Sequence, residues 1–395
     1  MIESAPLHRA ASRGVTLPEV LVACGCVLVL CAAAPVLLDD GKDRAMVAQS
    51  VSNLKNLASA NETYAGDWGD RQWTAIRDDA GAVAGDCGRY IAEIGCPPQL
   101  ILGWDTAGMM WGYFLGNGGK CAASGFPGSC DAWAAYVPIA FDGEHAGFGA
   151  FRLPNAKLFH DYVNGRFYDP TFYAPKDAKP RERIAPYLAA ADEFRFDGTA
   201  FELSSYCFSP AAMYDTKVLA AAGFTDPKTF QTAYRSPPVS RCKYPALKTR
   251  MIEHNWLQNA PTIDANPGFV GNATPWFFSH GVESAPVSLF FDGHIEVIGM
   301  ARAMADDARM KDAKLWSRAT PLGAAGYFGA QAFDRFVETG FHVLTADGIE
   351  GRDIVSAGAS ETNALAPKSP LLQEPGSTVK IGGMGTESKA PKTAD

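Results

Sequence analysis

Glu19 is a carboxylate at the edge of an apolar run, Val20 to Leu38. A charge in that position costs free energy and tends to be kept for a partner. Other groups able to do chemistry are spread along the chain. Glu253-His254, His280 and Asp292-x-His294 carry the residue types of acid–base work or metal ligation. Surface histidines at strand ends and a turn aspartate account for the same residues without catalysis. Asp67, Asp70, Asp78 and Asp79 offer the hard oxygen ligands that calcium takes, but not at EF-hand spacing. A solvated acidic loop explains them more simply. No Gly-x-Ser-x-Gly, Walker loop, His-Glu-x-x-His or dinucleotide fingerprint occurs. The expectation is a protein that is not an enzyme and has no catalytic, metal or cofactor site.

The nine cysteines divide by position. Cys24, Cys26 and Cys31 lie inside the apolar run, where a thiol behaves as a small hydrophobe. Cys87, Cys96, Cys121, Cys130, Cys207 and Cys242 follow it. An even number beyond a membrane segment suits disulfides in an oxidising compartment. The connectivity stays open, with the local pairs Cys87–Cys96, Cys121–Cys130 and Cys207–Cys242 favoured. No Cys-x-x-Cys or zinc-type Cys/His spacing is present.

The elements that must position these residues begin with the apolar run. About 19 residues at 1.5 Å rise reach across a hydrocarbon core of about 30 Å. His8, Arg9 and Arg13 precede the run and favour a cytoplasmic N-terminus. Helical spacing continues through Val47, Val51, Leu54, Ala58 and Tyr64, with Lys42, Arg44, Gln49, Lys55 and Asn61 on polar faces. The pattern predicts one long helix from about residue 16 to about residue 65, broken or bent between Pro35 and Gly41. Strand-type runs follow at Ala150–Leu153, Lys157–Tyr162, Phe201–Cys207, Thr249–Trp256 and Val287–Val297. Asp292-Gly293 between two apolar strands predicts a two-residue hairpin with a type I′ turn. Helices are expected within 299–318 and 326–339. Trp104–Phe114 reads as core rather than as a sugar or protein contact surface.

Gly14-Val15-Thr16-Leu17-Pro18-Glu19 followed at once by the apolar run resembles the N-terminal signature of type IV pilins and type II secretion pseudopilins. The resemblance implies cleavage by a prepilin peptidase between Gly14 and Val15, and methylation of the new N-terminus. It also implies an assembly role for Glu19, paired with the N-terminal amine of a neighbouring subunit. Ser52 to Leu57, Tyr64 to Asp67, Phe172 to Asp177 and Tyr244 to Glu253 resemble one branch, the large pilin-like proteins with an H-X9-DG element. His280 and Asp292-Gly293 correspond to that element, although the interval here is 281–291, two residues longer than the pattern. Val15 stands where phenylalanine or methionine is commoner in the family.

The chain has 395 residues and a net charge of −8 with no basic block, which makes nucleic acid a poor partner. The expected fold is α+β: a long N-terminal pilin-type helix on an antiparallel-sheet globular domain, with a disordered C-terminal tail. The expected organisation is a leader at 1–14, the helix at 15–66 and a Cys/Trp-rich inserted region at 67–150. A globular domain at 151–355 and a tail at 356–395 complete it, the tail lacking Phe, Trp and Tyr. The resemblance implies a structural subunit of a type II secretion or type IV pilus-like fibre. Its implied partners are prepilin peptidase and other pilin-like subunits. Its implied location is the bacterial inner membrane, single-pass, with the outer domain periplasmic or surface-exposed. The alternative is a membrane-anchored binding domain delivered by a pilin-type signal.

Overall fold

The computed structural model describes residues 16–95, 100–113, 130–143, 146–195, 202–254, 285–311, 313–322 and 340–355; at 27–40, 113, 130–132 and 179 only the backbone is described. The fold is mixed, helices packed with antiparallel sheets. The first helix, α1, spans Leu17–Asp67. It is uninterrupted, so the break expected between Pro35 and Gly41 is not found: a proline removes one backbone donor without necessarily ending a helix. Among the described residues no helix is long and apolar enough to cross a membrane. The side chains at 27–40, within the apolar run, fall outside that description.

The two ends of α1 differ. Residues 16–26 are all exposed. From Ser50 onward a stripe of Ser50, Asn53, Leu54, Leu57, Asn61 and Tyr64 is buried against the body. These spacings of three and four trace one helix face. Asn61, expected on a polar face, belongs to the buried stripe. Its Nδ2 donates locally to Leu57 O at 2.8 Å, while Oδ1 is buried without a partner among the described residues.

After α1 come a short helix α2 (Cys87–Glu93) and a hairpin of β1 (Leu100–Trp104) and β2 (Met110–Tyr113). Two short helices follow, α3 (Lys157–His160) and α4 (Ala178–Leu188). The remaining elements are β3 (Tyr206–Phe208), β4 (Leu219–Ala220), β5 (Gly223–Phe224), β6 (Thr249–Glu253), β7 (Val287–Phe290), β8 (Ile295–Val297) and α5 (Met300–Arg309). The main sheet has the order β3-β6-β7-β8, all antiparallel. The runs expected as strands at Ala150–Leu153 and Lys157–Tyr162 are instead a 3-10 turn at Ala150–Arg152 and the helix α3. Ala150, Phe151, Leu153 and Phe159 are buried, but through helical turns; over four residues, burial alone does not tell a strand from a helix. One core cluster runs from Leu54 on α1 through Trp73, Tyr136, Phe159 and Leu289 to Ile354. The helix expected at 326–339, the tail at 356–395 and the leader lie outside the described residues.

β3, β6 and β7 are buried at every position. α1 lies across β7 and β8. Strand alternation sends Tyr206 and Glu253, paired across β3 and β6, toward α1. Cys207 faces the other way, with Sγ 3.6 Å from His342 Nε2.

Candidate functional site at the helix–sheet junction

Several segments singled out in the sequence meet where α1 crosses the sheet. Asn53 Nδ2 donates toward Tyr173 O at 3.2 Å, Pro170 O at 3.3 Å and Tyr206 Oη at 3.3 Å. Ser50 Oγ lies 2.8 Å from Tyr206 Oη and 2.5 Å from Glu253 Oε1. The other carboxylate oxygen of Glu253 accepts from Val287 N at 3.0 Å. Burial is the largest influence on Glu253 and pushes its carboxyl up to about 7, against the pull of these donors. Asp177 accepts from Ser205 Oγ at 2.7 Å, and Lys176 pairs with Asp43 on α1 at 2.5 Å. Arg250 on β6 pairs with Glu62 on α1. The junction is thus a polar seam inside an apolar contact. Buried polar groups are costly unless paired, so the pairs made by Ser50, Asn53 and Glu253 favour one rotation and one height of the helix, while Arg250 Nε and Nη2 stay buried without a partner among the described residues.

Behind the sheet lies a second buried knot. Lys248 Nζ donates to Ser209 Oγ at 2.8 Å, Thr345 Oγ1 at 2.8 Å and Asp353 Oδ2 at 2.9 Å. Asp353 Oδ2 also accepts from Thr249 N at 2.8 Å. Burial lowers the Lys248 pKa, and the Asp353 charge opposes that shift. Serine and lysine at this distance resemble a nucleophile–base pair, but Ser209 and Lys248 are both 0% exposed, which bars a substrate. Their role is to clasp the segment around Asp353 to β6.

The hairpin is present with a different turn. Leu289 faces Ile295, Gly293 N donates to Phe290 O at 3.0 Å, and Phe290 N donates to His294 O at 3.0 Å. Phe291-Asp292-Gly293 is therefore a three-residue loop rather than a two-residue type I′ turn. Gly293 has φ of +86°, while Asp292 is not among the left-handed residues. Asp292 Oδ1 instead accepts from His294 N at 3.1 Å and meets His294 Nδ1 at 2.5 Å. The loop docks through Phe291 N to Lys248 O and Asp292 N to Pro245 O, so the Tyr244–Glu253 segment and the hairpin support each other.

Among the described residues, the groups weighed for acid–base work do not converge. Glu253 ends β6 beside Val287 and faces Ser50, whereas the Asp292–His294 turn docks beside the other end of β6. His280 lies outside the described residues. Three of the four aspartates considered for calcium have separate partners. Asp70 accepts from Ser240 N, Asp78 pairs with Arg71 at 2.7 Å, and Asp79 accepts from Tyr90 Oη at 3.1 Å. Asp67 is exposed. Among the described residues the group within metal-binding reach is His160, Asp161 and Glu193. There Lys157 already supplies a cation to Glu193 and, at 3.2 Å, to Asp161.

Cys87 is disulfide-bonded. Cys96 and Cys121 lie outside the described residues, and Cys130 is described by its backbone alone. The expected Cys207–Cys242 pair is not formed, because the two residues have different surroundings. Cys207 is buried on the sheet toward His342, while Cys242 packs against Ala212, Phe291 and Ile349. Burial pushes the two thiols up, to about 12 and about 11, and leaves them poor nucleophiles.

At the N-terminus, Gly14 and Val15 lie outside the described residues. Thr16 and Glu19 form a capping box on α1, with Pro18 in the first turn. Thr16 N donates to Glu19 Oε2 at 2.7 Å and Thr16 Oγ1 does so at 2.9 Å. The Thr-x-x-Glu spacing is a sequence-level signal for this cap, and it gives Glu19 a role inside its own chain. Ser50, Lys248 and Asp353 were not singled out in the sequence. Ser50 alone carried a signal, as a polar residue in register with Leu54 and Leu57. No protein-family model, curated protein or solved structure matches this chain.

Proposed function

We propose that this chain is a membrane-anchored, pilin-like structural subunit, cut by a prepilin peptidase between Gly14 and Val15 and assembled helix against helix into a fibre. The observation that carries the reading is the asymmetry of α1. Leu17, Val20, Leu21 and Val22 are 45–75% exposed on a helix whose later residues are buried in the body. Exposed apolar side chains in a row call for lipid or other helices as their surroundings. The sequence continues that apolar character to Leu38. In an assembled fibre Glu19 neutralises the amine of a neighbour's Val15. There the low dielectric makes a charge pair count far more than in water.

N-terminal mass spectrometry of the membrane-extracted protein tests the processing step. The expected result is a chain beginning with methylated Val15. A mature chain beginning at Met1 or near Pro35 would contradict it.

A further inference from the structure

On the body of the protein, a groove of about 450 Å³ opens between the β4–β5 hairpin, Tyr244, Trp316 and the segment around Glu350. Its size suits a small ligand. The chain is acidic overall, with a net charge of −8, yet this groove is lined by Lys243, Lys314, Arg318 and Arg352 against Asp347 and Glu350. Glu350 is already engaged by Arg241 and by Lys243, the latter at 2.5 Å. Arg318 pairs with Asp307 at 2.6 Å and lies 4.9 Å over the Trp316 ring. Two cations remain. Lys314 is exposed and has no carboxylate partner among the described residues. Arg352 is half-buried, sits over the Tyr244 ring at 5.2 Å, and among the described residues its side chain donates only to the weak acceptor Met310 Sδ, at 3.5 Å.

A guanidinium held against a ring without a carboxylate is pre-oriented for a forked contact with an oxyanion. A lysine ammonium beside it adds charge without demanding geometry. We infer that this groove is a binding site for a small oxyanion, a carboxylate or a phosphate group, received by Arg352 and Lys314. Tyr244, under Arg352 and partly exposed, also offers apolar surface to a ring attached to the anion, whereas Trp316 is buried. The inference stands apart from the fibre reading and does not depend on it.

Calorimetric titration of the full-length chain in neutral detergent tests it, with glucuronate, inorganic phosphate and neutral methyl glucoside as probes. Glucuronate or phosphate should bind saturably, and methyl glucoside should not. Binding of glucuronate alone identifies a ring-borne carboxylate as the ligand, and binding of phosphate alone identifies a phosphate group. Removing a charged hydrogen-bond donor should weaken binding about tenfold in Arg352→Gln. Lys314→Gln, at an exposed position that the fold does not need, should weaken it by a smaller factor and steepen no melting curve. Failure of both anions to saturate, equal binding of methyl glucoside, or unchanged affinity in both variants overturns the site.

Discussion

Gly293 acts through its backbone. A Cβ added there meets nothing within 4 Å, so space is not the constraint, but φ is +86°. A β-branched residue is strained at that angle, whereas asparagine tolerates it. Gly293→Val should destabilise the body by about 1–3 kcal/mol, with Gly293→Asn costing clearly less. Thermal melts of the full-length chain in detergent check both. Equal melting of Val, Asn and the parent would remove the turn from the account. Glu19 shows a similar economy at the other end of the chain. Its carboxylate caps α1 through Thr16, yet glutamine at the same position also completes a capping box. Glu19→Gln therefore separates the cap from the charge.

At the scale of elements, the α1–sheet junction carries a pH dependence whose sign follows from burial. The carboxyl of Glu253 is raised from 4.5 to about 7 in the fold. Between those values the folded chain holds a proton that the unfolded chain has lost, so stability falls as pH rises through that window. The contribution is full below about 4.5 and gone above about 7, on the order of 3 kcal/mol across the window. Protonated Glu253 can donate to Ser50 Oγ, with Ser50 then donating to Tyr206 Oη. Glutamine can do the same while accepting from Val287 N. Glu253→Gln should therefore flatten this part of the pH–stability profile and melt higher than the parent above pH 7. A parent and variant with parallel profiles would contradict the argument.

The stripe that grips the sheet was partly legible in sequence, because Leu54 and Tyr64 recur at helical spacing. Its polar members were not. Asn61 reads as polar-facing yet is buried, and Ser50 and Asn53 have no visible partners until Tyr173, Tyr206 and Glu253 are brought opposite them from more than a hundred residues away. The hairpin was legible from Asp292-Gly293, but its loop length was not, since a one-residue change in register turns one loop type into another. Phe151 and Phe159 misled for a simpler reason. Aromatic burial marks the core, not the backbone that reaches it. Lys248 and Asp353 lie 105 residues apart and carried no local signal. The even count of cysteines likewise did not say which of them meet.

At the scale of the whole molecule, the protein joins an exposed apolar helix end to a body held by one large core cluster and a small second one around Phe291 and Ile349. The polar seam at Ser50, Asn53 and Glu253 holds that helix against the body, which the proposed fibre would require of every copy. The most direct measurement is the composition of sheared surface filaments, compared with the membrane fraction, for the parent chain and for Glu19→Gln. The parent chain, beginning at Val15, is expected as a repeating subunit of the filaments. Glu19→Gln is expected in the membrane at normal amount but depleted from filaments. Filaments that lack the parent chain, or that take up Glu19→Gln as readily as the parent, would contradict the proposed fibre role.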